Sequence, residues 1–334
     1  MTHAGRHVLR AAPLLAAALL TLGGCGKEPA APRGDGAQAR APEELAPDSP
    51  PPARPTVVSL APNVTELLFA MGQGDHLVGR SRYCTFPAEA TSLPIVGDAR
   101  DLNVEKVLTL APDLAVFNTS QARFYDRLTS AGIRCLAPRM ETVAEVFSVI
   151  DLLGREFTAE GEAAAFAARL RAELEAVGGA ARGAERVRVL VTFPDTLGGG
   201  GEVLVVGRET FVDELIDLAG GTNVVGSSGY PRASIETAVK WAPEVILISA
   251  PGDIAPGKTD EAYRSTWTRW ESIPAVRDGR VVVRREPYLT IPGARMGQAT
   301  LLMLRVLHPQ RAATVEAAIG SPGTPGGTPQ EPER

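Results

Sequence analysis

Cysteine, histidine and aromatic residues are all scarce in this 334-residue chain. The three cysteines lie in different settings, which excludes a disulfide scaffold and a paired CxxC zinc site. Only His76 and His308 lie outside the first ten residues, so histidine-ligated metal chemistry has little support. Positive charge is not in excess either, because the formal net charge is -5, and this sets nucleic acid aside as a partner. With 44% hydrophobic and 22% charged residues, a packed core in one or two domains is feasible.

Residues 1-25 have the features of a secretory signal peptide. Arg6 and Arg10 charge its start, and the following apolar stretch of about a dozen residues is too short to span a bilayer. The stretch ends in Leu22-Gly-Gly-Cys25, which resembles a bacterial lipobox. The sequence therefore predicts lipid attachment at Cys25 and a location facing the periplasm or on the cell surface. An ordinary cleaved signal is the alternative, and the choice between inner and outer membrane stays open.

Two segments have compositions that do not favour folding. Residues 26-55 are rich in Pro, Ala, Gly and charge, with almost no aliphatic periodicity, so they are predicted to form a disordered tether. Residues 320-334 are rich in Pro, Gly and Thr and are predicted to be a disordered tail. The folded part therefore extends over roughly residues 56-319.

This folded part contains an internal repeat. The segment Asn103 to Phe117 aligns without a gap on Ser234 to Ile248, and each copy has a cap residue, a short helix, an Ala-Pro break and an apolar strand. A second match pairs Val64 to Leu68 with Val212 to Ile216. Two helix-strand copies in the same order predict an α/β fold with two similar lobes, 56-140 and 185-319, each built on a parallel-type sheet.

Residues 141-184 lie between the copies and contain no proline. Apolar residues recur along one face of this helix-friendly segment, as in Phe166, Leu170, Leu174 and Val177. We therefore expect a long, rigid α-helix to join the lobes, with Gly154 and Gly161 dividing it or marking a break before the main helix. A helical connection resists bending more than a loop, so the lobes are expected to close only slightly on a ligand.

Five stretches have a recognisable pattern: Val57 to Gly72, Leu77 to Pro87, Leu93 to Gly97, Asn103 to Lys106, and Trp270 to Arg280. Together they resemble the iron-siderophore and cobalamin periplasmic-binding family, and the resemblance is closest to the cobalamin-binding members. The resemblance implies a monomeric class III solute-binding protein that is not an enzyme and holds no cofactor or resident metal. It also implies a corrinoid ligand bound between the lobes and delivered to an ABC permease dimer with its ATPase subunits. Haem or a ferric siderophore is the alternative ligand.

The resemblance also indicates aromatic ligand-binding residues. Tyr83 matches an aromatic that lines the corrinoid cleft, and Tyr230 and Phe193 stand where two further aromatics are expected. Ordinary core packing is the alternative for each, above all for Phe193. Ala99 and Asn118 depart from the pattern, because cobalamin binders can carry tryptophan at these positions.

Arginines offer a different ligand chemistry. Arg82, Arg100 and Arg295 could bind the carboxylates of haem or of a siderophore. A solvated surface charge is the alternative for all three.

Four glutamates occupy matching positions in the two copies. Glu105 and Glu236 stand just inside a helix start and match the acidic residues that the family presents to arginines of its permease. Stabilisation of the helix dipole is the alternative role. Glu66 and Glu214, the second pair, are interpreted as capping partners at the starts of their own helices.

A nucleotide-dependent enzyme is the competing hypothesis of another class. Gly252 to Thr259 satisfies the P-loop pattern, but Pro256 removes one backbone N-H donor and Asp253 adds negative charge, so we set it aside. The glycines at 198-201 are instead interpreted as a turn between strands. Cys84 and Cys135 could form a disulfide, or Cys84 could contact a ligand metal, but an inert thiol is the simpler expectation.

Overall fold

The computed structural model describes residues 54-98, 100-117, 124-194, 202-251 and 258-319. The predicted signal peptide with Cys25, most of the predicted tether and the predicted tail lie outside these ranges. Within the described ranges, none of the helices combines the length and apolar character needed to cross a bilayer.

The first lobe is built on a five-stranded parallel sheet of order β3-β2-β1-β4-β5. Its strands are β1 Val57–Ser59, β2 Leu77–Ser81, β3 Ile95–Gly97, β4 Leu114–Val116 and β5 Arg134–Leu136. Its helices are α1 Pro62–Ala70, α2 Val104–Leu110 and α3 Tyr125–Thr129. The central strands β1 and β4 are buried throughout, as expected for a parallel sheet covered by helices on both faces.

Two helices, α4 Val143–Glu156 and α5 Glu160–Ala181, follow the first lobe. Helix α4 starts with a capping box, in which Thr142 accepts from the Glu145 N-H and Glu145 accepts from the Thr142 N-H. The guanidinium of Arg171 lies 4.3 Å from the centre of the Phe147 ring, and Gly154 lies against Ala163. Earlier residues of α4 thus meet later residues of α5, so the two helices run antiparallel. The division expected near Gly154 and Gly161 is confirmed, and it falls between α4 and α5.

Gly154 allows this close approach. A Cβ atom at Gly154 would lie 2.7 Å from the Cβ of Ala163, so a larger residue would push α4 and α5 apart. Helix α5, with 22 residues, is therefore the long helix that connects the lobes, while α4 packs beside it.

The second lobe contains a six-stranded sheet of order β11-β10-β6-β7-β9, with β8 paired to β6. Its strands are β6 Val187–Phe193, β7 Glu202–Val205, β8 Gly221–Asn223, β9 Arg232–Ser234, β10 Val245–Ser249 and β11 Val281–Arg284. Its helices are α6 Phe211–Leu218, α7 Ile235–Trp241, α8 Asp260–Thr268, α9 Pro274–Arg277, α10 Met296–Leu307 and α11 Pro309–Ile319.

This second sheet is mixed, which corrects the expectation of two parallel sheets. Strands β10, β11 and β8 continue the parallel pattern around β6, but β7 and β9 are antiparallel to their neighbours. Only residues 194-201 connect β6 to β7, which is too short for the helical crossover that a parallel neighbour needs.

The repeat predicted from sequence is present in the fold. Helices α2 and α7 are both capped by a side chain, Asn103 or Ser234, that accepts from the N-H three residues on. Both helices end in an alanine in the left-handed region, Ala111 at φ 44° and Ala242 at φ 46°. Each of these alanines precedes a proline, which prevents the helix from continuing.

The hydrophobic core has three parts. One cluster covers the outer face of the first sheet and includes the buried side of α2. A second cluster covers the outer face of the second sheet and includes the buried side of α7. The third and largest cluster contains residues from both lobes together with α4, α5, α10 and α11. We call this third cluster the shared core, because it joins the two lobes.

Candidate ligand-binding cleft

A cavity of about 390 Å³ opens between the two lobes. One side comes from the start of α1 and the segment before α4, through Pro62, Asn63, Pro138, Arg139, Met140 and Glu141. The other side is formed by the second lobe, through Phe211, Tyr230, Thr290, Ile291 and Pro292. Residues 62 and 138 follow the carboxyl ends of β1 and β5, the edge at which open α/β sheets usually bind ligands.

Two of the predicted aromatic residues meet at this cleft. The rings of Phe193 and Tyr230 are 6.1 Å apart between centres and tilted by 54°. Tyr230 lines the cavity and is 40% exposed. Burial, with the nearby charge of Glu141, raises the pKa of Tyr230 to about 12. The phenol therefore stays protonated at neutral pH, and it can donate a hydrogen bond to a ligand.

Tyr83 lies in the loop that follows β2, and it is the most exposed of the three aromatics at 52%. Since β1 and β2 are parallel, this loop leaves the sheet at the same edge as the start of α1. Tyr83 itself is not among the residues that line the cavity of about 390 Å³. Tyr83 is therefore separate from the Phe193–Tyr230 pair, on a loop at the edge of the sheet where α1 begins.

Arg82 has a carboxylate partner. Its Nε lies 2.8 Å from Oδ2 of Asp98. The other oxygen of Asp98 accepts from the backbone N-H groups of Arg100 and Asp101, and these bonds, with the charges of Arg82 and Arg100, lower the pKa of Asp98. A ligand carboxylate at Arg82 would have to compete with Asp98.

Arg295 is buried and bound to a carboxylate of the protein itself, so a ligand carboxylate there would have to displace Glu66. Its Nε and Nη2 donate to the two carboxylate oxygens of Glu66, at 2.9 and 2.5 Å. The guanidinium also lies over the rings of Phe86, at 4.0 Å, and Tyr288, at 5.0 Å. Arg295 therefore links the second lobe to α1 of the first lobe.

Glu66 and Glu214 do not cap their own helices, which corrects their interpretation as capping partners. Glu66 is 3% exposed and pairs with Arg295, and α1 has no side-chain cap. Glu214 accepts from the backbone N-H of Val143 at 3.0 Å, so it caps α4 instead of α6. The cap of α6 is Thr210. Glu214 does lie in the first turn of α6, whereas Glu66 lies beyond the first turn of α1, and the sequence pattern could not show that the partners of both come from distant segments.

Glu105 and Glu236 are both exposed, on α2 and α7. The pKa of Glu236 is lowered, first by a bond from its own backbone N-H and then by the Ser234 hydroxyl. Leu108, one turn beyond Glu105, is also 42% exposed. Both glutamates are thus free of the core and accessible from solvent.

The two described cysteines are free and buried, so they do not form a disulfide. The Cys84 thiol lies 3.2 Å from the Ser81 hydroxyl and 3.6 Å from the Ser59 carbonyl oxygen, and it is 1% exposed. Burial raises the pKa of Cys84, which disfavours the thiolate that a metal would need. Across the described residues, no group of three or more His, Cys, Asp or Glu side chains could hold a metal ion.

Several sequence features fall outside the described residues. These are Ala99, Asn118, the glycines at 198-201 and residues 252-257 of the P-loop-like segment. The helix after that segment, α8, is capped by Thr259 and carries Asp260 and Glu261 in its first turn. Two carboxylates at a helix N-terminus disfavour a bound phosphate.

The cleft also contains residues that sequence analysis did not identify, above all 138-141 and 290-292. A Cβ atom at Gly293 would lie 3.3 Å from the Asn63 carbonyl oxygen, so this loop packs directly on α1. The prolines at 138 and 292 were the only local signal, because a proline at the end of a strand or before a helix marks a turn at the sheet edge.

Two α/β lobes that share a core and enclose a cleft define a two-lobed solute-binding protein. The chain matches the family model described as periplasmic binding protein over residues 57–288, which is more than half of its length. The chain therefore belongs to the periplasmic binding proteins of the ABC importer type. Members of this family bind solutes and are not enzymes.

Three similar proteins illustrate the range of the family. The vitamin B12-binding protein of Vibrio parahaemolyticus is 25% identical over 244 residues, covering 72% of this chain and 84% of the relative. The uncharacterized ABC transporter substrate-binding lipoprotein YvrC of Bacillus subtilis is 27% identical over 263 residues, covering 76% and 80%. The solved periplasmic heme-binding protein RhuT of Roseiflexus sp. RS-1, in its apo form, has a TM-score of 0.65 at 25% identity, covering 75% and 98%.

Proposed function

We propose that the protein captures a corrinoid of the cobalamin type in the cleft and delivers it to an ABC permease dimer by binding, docking and release, without bond chemistry. The cleft volume of about 390 Å³ lies within the usual range of small-molecule pockets, about 300–1,000 Å³. A ligand as large as a corrinoid would extend from this cavity along the open cleft towards the Tyr83 loop.

The observation that carries the choice of a corrinoid is the position of the Tyr230 phenol, a hydrogen-bond donor that lines the cleft beside Glu141. A corrinoid carries neutral amides, which accept hydrogen bonds from a phenol. Ferric iron held by tyrosine takes the phenolate form, which the raised pKa of Tyr230 opposes. The name of the Vibrio parahaemolyticus relative agrees with this choice.

The arginines also favour a ligand without free carboxylates. Arg82 is paired with Asp98, Arg295 with Glu66, and Arg139 lies 3.3 Å from Glu145. Haem or a carboxylate siderophore would need such cations for its anionic groups. The name of RhuT keeps haem as the alternative ligand for the same fold.

Titration of the processed full chain with cyanocobalamin, hemin and a ferric siderophore tests the ligand, with the visible spectrum and intrinsic fluorescence as signals. We expect cyanocobalamin to bind most tightly. Tyr230→Phe should weaken it about tenfold, the effect of one lost hydrogen bond of about 1.4 kcal/mol. Thr314→Val, an exposed change on α11, is the control. Tighter binding of hemin by more than a hundredfold would contradict the proposal.

Glu105 and Glu236 are the proposed contacts with the permease. Their support is that both are exposed and occupy equivalent positions on α2 and α7, so that two subunits of a permease dimer could each bind one. The double variant Glu105→Arg/Glu236→Arg should abolish importer-dependent uptake while ligand affinity stays within twofold. Glu175→Arg, an exposed reversal on α5, is the matched control. Unchanged uptake in the double variant would refute the docking role.

Lipid attachment at Cys25 is part of the same proposal. It is supported by the lipobox-like Leu22-Gly-Gly-Cys25 and agrees with the lipoprotein name of the Bacillus subtilis relative. Cys25→Ala should prevent incorporation of labelled palmitate and move the protein to the soluble fraction. Labelling that persists in the variant would place the anchor elsewhere.

A further inference from the structure

Arg80 is a buried cation whose described partners are all backbone carbonyls. It lies near the end of β2 and is 6% exposed. Its Nη1 donates to the carbonyl oxygens of Ser81, at 3.1 Å, and Cys84, at 3.3 Å. Its Nη2 donates to the carbonyl oxygen of Thr91, at 3.0 Å. Among the described residues, no carboxylate lies within ion-pair distance of this guanidinium.

These three carbonyls belong to one connected loop. Residues 81 and 84 lie on either side of Tyr83, and residue 91 lies in the short 3-10 helix that brings the chain back to β3. A buried carbonyl without a donor costs about 1–3 kcal/mol. Removal of the guanidinium would leave the carbonyls of Cys84 and Thr91 without this donor, whereas the Ser81 carbonyl would still accept from the Cys84 N-H at 3.2 Å. The path of the loop from Cys84 to Thr91 therefore depends on this side chain.

The position of Tyr83 depends on the same backbone. Its N-H donates to the Ser81 hydroxyl at 3.2 Å, whereas its side chain is 52% exposed and has little packing around it. The backbone of residues 81-84 therefore sets the position and direction from which the Tyr83 side chain leaves the loop. Further along the loop, Phe86 packs on Arg295, which holds the far end against the second lobe.

We propose that Arg80 is a positioning residue: its buried guanidinium fixes the backbone on both sides of Tyr83 and so sets the point from which the Tyr83 side chain extends. The effect on the loop follows from the contacts of Arg80 alone. The consequence for ligand binding rests on the proposed function.

The first test follows the loop without any ligand. Cys84 lies in the loop and Cys135 in β5, so the alkylation rates of their thiols, resolved by peptide mass spectrometry on the full chain, report on the two regions separately. Loss of the Arg80 charge raises the pKa of the Cys84 thiol and slows its alkylation, so a faster rate must come from opening of the loop. Arg80→Met should nevertheless raise the alkylation rate of Cys84 at least tenfold and leave that of Cys135 within twofold. An unchanged Cys84 rate, or an equal rise at both thiols, would overturn the proposal, because the second result means general destabilisation.

The second test asks whether Arg80 acts through Tyr83. Cyanocobalamin affinity is measured for wild type, Arg80→Met, Tyr83→Ala and the double variant. We expect Arg80→Met to weaken binding about tenfold in wild type but less than twofold in the Tyr83→Ala background. Equal losses in both backgrounds would overturn the proposal. If wild type fails to bind cyanocobalamin, the proposed ligand is wrong, and the alkylation rates alone decide the role of Arg80.

Discussion

The ion pair between Glu66 and Arg295 connects the lobes at a buried site, and its removal is the sharpest test of the fold. The side chains of Glu66 and Arg295 are 3% and 10% exposed, and the pair forms two hydrogen bonds. Arg295→Met removes the charge but keeps an apolar side chain between Phe86 and Tyr288. It leaves the Glu66 carboxylate buried without its partner.

The expected loss is large. Removing one partner of a buried ion pair typically costs about 3–5 kcal/mol. For a folded part of this size, each kcal/mol of lost stability lowers Tm by about 2–4 °C, so we expect Tm to fall by on the order of 10 °C. Replacing both residues, in Glu66→Met/Arg295→Met, removes the uncompensated charge, and the double variant should recover most of the loss.

The pH dependence of the single variant has a definite sign. Burial raises the pKa of Glu66, and the hydrogen bonds and charge of Arg295 oppose that rise. Without Arg295, the pKa of Glu66 in the folded state lies further above its unfolded value. Stability then falls as pH rises through this interval, so the deficit of Arg295→Met relative to wild type should shrink at acidic pH.

Urea unfolding of the single and double variants measures these effects, with Arg277→Met as an exposed control. The coupling energy from the double-mutant cycle should exceed about 1 kcal/mol. A loss of unfolding free energy below about 1 kcal/mol in Arg295→Met would show that the two lobes do not depend on this ion pair. A double variant whose loss equals the sum of the two single-variant losses would show the same.

Three further predictions concern local structure. Gly297→Ala places a Cβ atom 2.8 Å from the Cβ of Glu173 and into its carboxylate, so it should lower the free energy of unfolding in urea by about 1–3 kcal/mol. Gly161→Ala is the control: its new Cβ has nothing within 4 Å, so the change should be neutral or slightly stabilising. Thr142→Ala removes the cap of α4 and should cost about 1 kcal/mol by the same measurement. The pKa of Asp98 is lowered in the folded state, so the stability that Asp98 contributes is present above its unfolded pKa and is lost as pH falls. The difference in unfolding free energy between wild type and Asp98→Ala should therefore disappear between about pH 5 and pH 1 in acid unfolding.

The repeated unit could be predicted because its signals are local. Asn103 and Ser234 each cap a helix with their own side chain, and the following Ala-Pro step ends both helices within a few residues. Such signals act within one turn and do not depend on the rest of the fold. The mixed second sheet was missed because strand direction there depends on the length of a connection, residues 194-201, which was interpreted only as a turn.

The cleft was harder to predict because its residues come from distant parts of the chain. Tyr230 and Phe193 could be identified as aromatics on predicted loops and strand ends, and they do lie together. The role of Arg295 could not be identified, because its partner Glu66 is 229 positions away and nothing near either residue indicates burial. An arginine at a cleft looks the same in sequence whether it binds a ligand or a buried glutamate.

The arrangement of the three core clusters bears on how a ligand would be released. The lobes are held together by the shared core, by α5 and by the Glu66–Arg295 pair. The proposed docking acids lie on α2 and α7, whose buried sides belong to the outer clusters and not to the shared core. Force applied by a permease at Glu105 and Glu236 would therefore act first on the outer layer of each lobe. For this reason charge reversal at the two acids should lower the urea midpoint only slightly, because each acid lies in the first turn of its helix, whereas Arg295→Met should lower it much more without affecting the docking surface.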